Sequence, residues 1–163
     1  MIRHLLNILL WSLPPSRFFS FRHACLKLAN IDVGINVSMC GQGWIYGRGI
    51  LGIGSNTWLS PGVIFYTHLN APIMIGENCD IGPEVKFITG GHEIGTALRR
   101  AGLGTANTII IKDGCWIGAG SQILGGITIG PGVVVAAGSV VISDVPANVL
   151  VAGVPAVIKK LLK

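Results

Sequence analysis

The residues GGHE at 90–93 interrupt an otherwise periodic chain. His92 within them has the side chain best suited to move a proton near neutral pH, because imidazole titrates near about 6.5. Of four histidines, His4 and His23 lie in a basic N-terminal stretch, which leaves His68 and His92, one in each break of the repeat. Gly90 and Gly91 precede His92 and allow a ligand close to the backbone. Spacing alone leaves a solvent-exposed loop histidine open as the alternative, since a single short motif has little specificity. Cys25, Cys40, Cys79 and Cys115 show neither CxxC pairing nor a histidine cluster, so no metal site is expected. They read as reduced thiols of a cytoplasmic protein. Cys79 and Cys115 read as packing residues, since an apolar interior raises a thiol's pKa and removes its nucleophilicity.

The element that must position these residues is a repeat of six. Ile53, Leu59, Phe65, then Ile75, Ile81, Phe87, then Ile111, Ile117, Ile123, Ile129, Val135 and Val141 are all large and apolar. Four residues after these positions the chain places Thr57, Val63, Cys79, Val85, Cys115, Ser121, Val133 and Ser139. A period of six fits neither a helix at 3.6 nor a plain amphipathic strand at two. It suits short strands joined by tight turns around a narrow triangular prism, three hexads to a coil, with coils stacked at strand spacing. Val33, Met39 and Ile45 keep the same spacing, so the prism is expected over 31–146. Two breaks are visible: ten residues separate Phe65 from Ile75, and 24 separate Phe87 from Ile111. In the second, the would-be core positions are Glu93, Arg99 and Thr105, so 90–107 is expected to leave the prism as one long extruded loop. Residues 1–30 read as a basic, apolar arm with a short helix stopped by Pro14 and Pro15, and 147–163 as a short C-terminal helix or tail.

Composition narrows the class further. The 163 residues are 50% hydrophobic and only 12% charged, with mean hydropathy +0.65. Part of such a surface is expected to be covered by other subunits. The outward rings of Trp58 and Trp116 suit such an interface. No apolar run reaches the roughly 20 residues of a membrane span. Net charge is +5, and Arg3, Arg17, Arg22 and Lys27 occur before any acid. That arm fits contact with an anionic membrane face or a phosphate-bearing partner, and a merely solvated basic arm is the alternative. The basic residues are not interleaved with aromatics as nucleic-acid binding would require.

"FITGGHEIG", the arginine-bearing segment after it, and "IIIKDGCWIGAGSQILGGITIGPGVVVAAGSVVISDVPANVLVAGVPA" resemble the hexapeptide-repeat acetyltransferases, in the polysaccharide and colanic-acid-type O-acetyltransferase branch. The resemblance covers about residues 28 to 160, and "DVP…VAGVPA" is its most specific phrase. It implies an all-β fold, a left-handed parallel β-helix, and a homotrimer that uses acetyl-CoA without a metal. It implies His92 as general base toward a carbohydrate hydroxyl, with Glu93 and Glu84 as candidates to orient the imidazole, or a carbonyl in their place. By position it assigns Gly118, Ala119, Ala137 and Gly138 to the pantetheine channel, Lys159 and Lys160 to the coenzyme phosphates, and His68 and Asn70 to the acceptor. Some relatives carry a basic residue where this chain has Val157, and a threonine-lysine pair where it has Ile142 and Ser143. Arg99 and Arg100 are the residues that would compensate.

Three other functions compete. An N-acetyltransferase on a nucleotide-linked amino sugar would use the same histidine. A non-catalytic assembly subunit would not need His92 in a glycine-framed segment. A carbonic anhydrase on the same scaffold needs three zinc-binding histidines, and the repeat region holds two.

Overall fold

The computed structural model describes residues 2–163. Helices α1 (Ile2–Ser12) and α2 (Phe19–Leu28) precede five coils of three short strands. The first coil is β1 (Asp32–Val33), β2 (Ser38–Met39) and β3 (Trp44–Tyr46), and the second is β4 (Leu51–Ile53), β5 (Trp58–Leu59) and β6 (Ile64–Tyr66). The third is β7 (Ile73–Ile75), β8 (Asp80–Ile81) and β9 (Lys86–Ile88). A hairpin of β10 (Gly90–Ile94) and β11 (Ala101–Ala106) then intervenes. The fourth coil is β12 (Ile109–Ile111), β13 (Trp116–Ile117) and β14 (Gln122–Leu124). The fifth is β15 (Thr128–Ile129), β16 (Val134–Val135) and β17 (Val140–Val141), followed by β18 (Val149–Gly153) and β19 (Ala156–Leu161).

Successive coils pair in parallel, so each strand position becomes one face of a prism: β1-β4-β7-β12-β15, β2-β5-β8-β13-β16 and β3-β6-β9-β14-β17. The twelve hexad residues from Ile53 to Val141 are all buried, as are the eight small or β-branched residues four positions later. The polar members of that second set are satisfied by backbone groups, Thr57 and Ser121 by the coil above and Ser139 by the Ala136 carbonyl of its own coil. Thr57 donates to the Gly76 carbonyl at 2.9 Å and Ser121 to that of Ala136 at 3.1 Å. The Cys79 and Cys115 thiols reach the Lys112 and Gly130 carbonyls at 3.3 and 3.1 Å. Hydrogen bonding to Cys79 and burial push the Cys115 pKa up, while the same hydrogen bond lowers that of Cys79 against the expectation; their burial in the prism is what marks both as packing residues.

The register locates every departure from the repeat. On the first face the stacked partners are Val33, Ile53, Ile75, Ile111 and Ile129, spaced by 20, 22, 36 and 18 residues. Three hexads need 18, so the first three coils carry two, four and eighteen extra residues. All of them fall between the third face of one coil and the first face of the next, after β3, β6 and β9. The other two edges turn tightly, with one left-handed residue per coil. These are Asn36, Asn56, Asn78, Gly114 and Gly132 on one edge, and Gln42, Gly62, Glu84, Gly120 and Gly138 on the other.

Three segments differ from the sequence reading. The segment 90–107 is not an irregular loop but an antiparallel hairpin, pairing Gly90 with Ala106 and His92 with Gly104. The C-terminus is not a helix: β19 folds back antiparallel on β18 and caps the last coil of the second face. The N-terminal arm holds two helices, and neither Arg3 nor Arg22 is a solvated charge. Leu6, Leu10 and Leu26 join the same apolar core as the coils. Asn7 clips α1 to the open edge of β3, accepting from the Ile45 N–H at 3.1 Å and donating to its carbonyl at 2.9 Å. Arg3 donates to the Gly49 carbonyl at 2.7 Å. Arg22 is fully buried and donates to the carbonyls of Arg17, Leu10, Leu13 and Pro14, tying together the turn between the helices.

That clamp makes a prediction. Arg22→Ala strands the carbonyls of Leu10, Leu13 and Arg17, Pro14 keeping the Arg17 N–H, and the arm should lose about 2–4 kcal/mol of local stability. Arg22→Lys should rescue little, because an ammonium cannot span the same four acceptors. Hydrogen exchange should rise across residues 2–30 and stay unchanged in the coils; uniform destabilisation of the whole chain would contradict the assignment.

Candidate active site

The edge that carries the insertions also carries both histidines of the repeat region. His68 lies in the four-residue insertion after β6, and His92 lies on β10 of the hairpin after β9. One cleft of about 500 Å³ collects His68, Asn70, Gly90, Gly91, His92, Gly104, Thr105 and Ala106. A larger cleft of about 640 Å³ lies between α1 and the first coil, lined by Arg3, His4, Trp44 and Arg48 among others. It is further from the hairpin, so the smaller one is the candidate site.

The two imidazoles in the cleft are in complementary states. His92 Nδ1 lies 3.1 Å from the Gly102 carbonyl oxygen. A carbonyl can only accept, so Nδ1 carries the proton and Nε2 of the neutral ring is left with its lone pair. His68 is the reverse: its Nδ1 accepts the Asn70 backbone N–H at 3.2 Å, which places the proton of the neutral ring on Nε2. One ring offers a base and the other a hydrogen-bond donor. The Gly102 carbonyl is presented by β11, since the hairpin pairs His92 with Gly104 across the two strands.

The group hydrogen-bonded to the His92 ring is the Gly102 carbonyl, and Glu93, next to His92, lies at the register shift of β10. Glu84 is the left-handed residue of the edge between the second and third faces, a different edge from the hairpin's. Arg99 and Arg100 sit at the hairpin tip, where Arg100 donates to the Gly95 carbonyl at 3.3 Å.

The residues expected at the coenzyme are elsewhere. Gly118 and Ala119 in the fourth coil, and Ala137 and Gly138 in the fifth, follow the second face and stack on the same edge as Glu84. The Gly118 N–H donates to the Val135 carbonyl at 2.7 Å and the Gly138 N–H to that of Ala119 at 2.8 Å. A Cβ at Gly118 would come within 2.5 Å of the Ala137 nitrogen, so no side chain fits there. Ala119, Ala137 and Gly138 are exposed and present a low, smooth edge. Lys159 and Lys160 are exposed on β19, with Lys160 opposite Leu150. Trp58 and Trp116 stand in the outward row of the second face and line a shallow cleft with Asp80, Gly82 and Pro83. Within one chain the histidine edge and this small-residue edge are separated by the third face. No group of three or more metal-ligating side chains occurs among the described residues.

A parallel β-helix of stacked hexads, with its histidines on corner insertions, defines the class of hexapeptide-repeat transferases. The chain belongs to this family: residues 108–143 match the model described as bacterial transferase hexapeptide (six repeats). An Escherichia coli protein named as a colanic acid biosynthesis acetyltransferase, WcaF, is 31% identical over 93% of this chain and 80% of its own length. The galactoside O-acetyltransferase of the same organism is 36% identical over 63% of this chain and 60% of its own. The chain spans between 42% and 60% of the length of that enzyme and of other fungal and galactoside relatives. A hexapeptide-repeat acetyltransferase of Vibrio cholerae, solved with acetyl coenzyme A, superposes with a TM-score of 0.87 at 31% identity. That superposition covers 99% of this chain and 86% of that one.

The tautomer assignment is testable without an assay. Nitrogen-15 spectra of the neutral protein should show His92 protonated at Nδ1 and His68 protonated at Nε2. His92 carrying its proton on Nε2 would contradict the geometry.

Proposed function

We propose that the chain is an acetyl-CoA-dependent O-acetyltransferase acting on a sugar hydroxyl of a surface polysaccharide or its precursor, by direct transfer with His92 as general base. The observation that carries this reading is the hydrogen bond from His92 Nδ1 to the Gly102 carbonyl. It leaves Nε2 as the basic nitrogen in a cleft that also holds the His68 donor and Asn70. Nε2 takes the proton of the acceptor hydroxyl as the oxygen bonds to the thioester carbonyl carbon. The carbon–sulfur bond then breaks, and the imidazolium returns the proton to the departing thiolate. The Gly102 carbonyl holds the ring in place and faces the positive charge that develops on it. His68 Nε2–H and Asn70 would bind the sugar.

The coenzyme assignment draws on the acetyl coenzyme A in the Vibrio structure and on the edge formed by Gly118, Ala119, Ala137 and Gly138. Lys159 and Lys160 would meet the phosphates, with Arg99 and Arg100 as further cations. The galactoside O-acetyltransferase relatives favour a hydroxyl over an amine as acceptor. Coenzyme A thioesters belong to the cytoplasm, and the four cysteines are free and buried as a reducing compartment allows.

We take the coil as left-handed and the assembly as a homotrimer, as the family resemblance implies. The hairpin supports the second point. Ile94, Leu98 and Leu103 are 90%, 100% and 75% exposed on a two-stranded element that has no core of its own. A neighbouring copy would cover them and bring its small-residue edge to His92.

His92→Ala should lower turnover by about 100- to 10,000-fold, the usual scale of general-base catalysis, with the fold and assembly unchanged. A coenzyme A release assay with hydroxy sugars as acceptors reads this. A variant as active as the parent would remove His92 from the mechanism.

A further inference from the structure

The N-terminal arm holds a surface that the transferase reading does not use. Helix α1 turns Leu6, Asn7 and Leu10 inward; its opposite side exposes Leu5, Ile8 and Leu9, and Ile2 and Trp11 are exposed at its two ends. Leu5 and Trp11 are each 59% exposed. The connecting turn and α2 add Phe18, Phe21 and Leu28, the last 78% exposed. A helix docked through one face normally offers water its polar face; this one offers leucines and a tryptophan.

We infer that this arm is a docking surface for an anionic lipid bilayer, with α1 lying in the headgroup region. Charge complementarity selects the occupant. No acid occurs before Asp32, and Arg17 and Lys27 are exposed beside the apolar residues. Arg3 and Arg22 are taken up by carbonyls, so Arg17 and Lys27 are the cations left to meet lipid phosphates. A second copy of the arm would bring like charges together, whereas anionic headgroups would neutralise them. Aromatic and leucine side chains flanked by cations are the composition that partitions to the membrane interface. The eleven residues of α1 are too few to cross a bilayer and long enough to lie on one.

The surface is independent of the catalytic reading, and only its use depends on it. α1 packs on β3 in the first coil, and the hairpin leaves the third, about 10 Å further along the prism at strand spacing. A bilayer under the arm would hold the histidine cleft close to lipid-anchored acceptors.

The test is flotation of the full chain with vesicles of phosphatidylglycerol and phosphatidylcholine, against vesicles of phosphatidylcholine alone. The protein should float with the anionic vesicles and be released by high salt. Leu5→Glu/Trp11→Glu should weaken binding by at least about tenfold. Arg17→Glu/Lys27→Glu should weaken it about tenfold or more through charge alone. Acetyl transfer to a soluble sugar, followed in parallel, should be the same for both variants and the parent. No flotation of the parent, equal flotation with neutral vesicles, or full binding by Leu5→Glu/Trp11→Glu would each overturn the inference. So would a parent that ignores vesicles while Leu5→Glu/Trp11→Glu lowers the mass of the assembly, since the face would then be a subunit contact. Absent acetyl transfer by every chain, with flotation intact, would count against the catalytic reading alone.

Discussion

One constraint governs this molecule: each coil must place one large apolar side chain from each face on top of its counterpart below. The prism has room for little else, and all twelve hexad residues from Ile53 to Val141 are buried. Adding a residue within a face would turn the following side chains from inside to outside, because strand side chains alternate. Extra chain can therefore enter only at an edge. Two edges are closed by tight turns with a left-handed residue in every coil. The remaining edge takes all three insertions, and with them His68 and His92.

Polar chemistry is handled by the same economy of position. Inside the prism, hydroxyls and thiols donate to backbone carbonyls of their own or an adjacent coil, and no buried side-chain nitrogen or oxygen among the described residues lacks a partner. In the cleft, backbone groups set the state of both imidazoles: the Gly102 carbonyl holds the His92 proton at Nδ1, and the Asn70 N–H occupies Nδ1 of His68. The hairpin is thus more than a carrier. Its second strand supplies the carbonyl that leaves the lone pair of the neutral His92 ring on Nε2.

The β-helix was legible because its signal is a repeated side-chain requirement: large at one position, small four later. The hairpin was not, since its strands are rich in glycine and carry no alternation of buried and exposed residues. The partner of His92 has no letter of its own, because a backbone carbonyl is the same at every residue; the sequence could name Glu93 and Glu84 as candidates but leave a carbonyl only as an unplaced alternative. The arm was legible only in part. Four cations without an acid left membrane or phosphate contact and a solvated segment both open, and neither reading foresaw that Arg22 is buried against four carbonyls. The C-terminal strand pair was hidden because β19 runs through exposed residues such as Lys159 and Lys160, with no buried alternation to announce it.

On the proposed reading, one chain holds the site only in halves, with His92 on one edge of the prism and the small-residue edge of Gly118, Ala119, Ala137 and Gly138 on another. The most direct test is to mix two inactive chains, His92→Ala and Ala137→Trp, the second blocking the groove, and to assay assemblies shown to contain both. Some junctions would then join an intact histidine edge to an intact groove, and the account predicts recovered acetyl transfer. Mixed assemblies as inactive as either variant alone would contradict it.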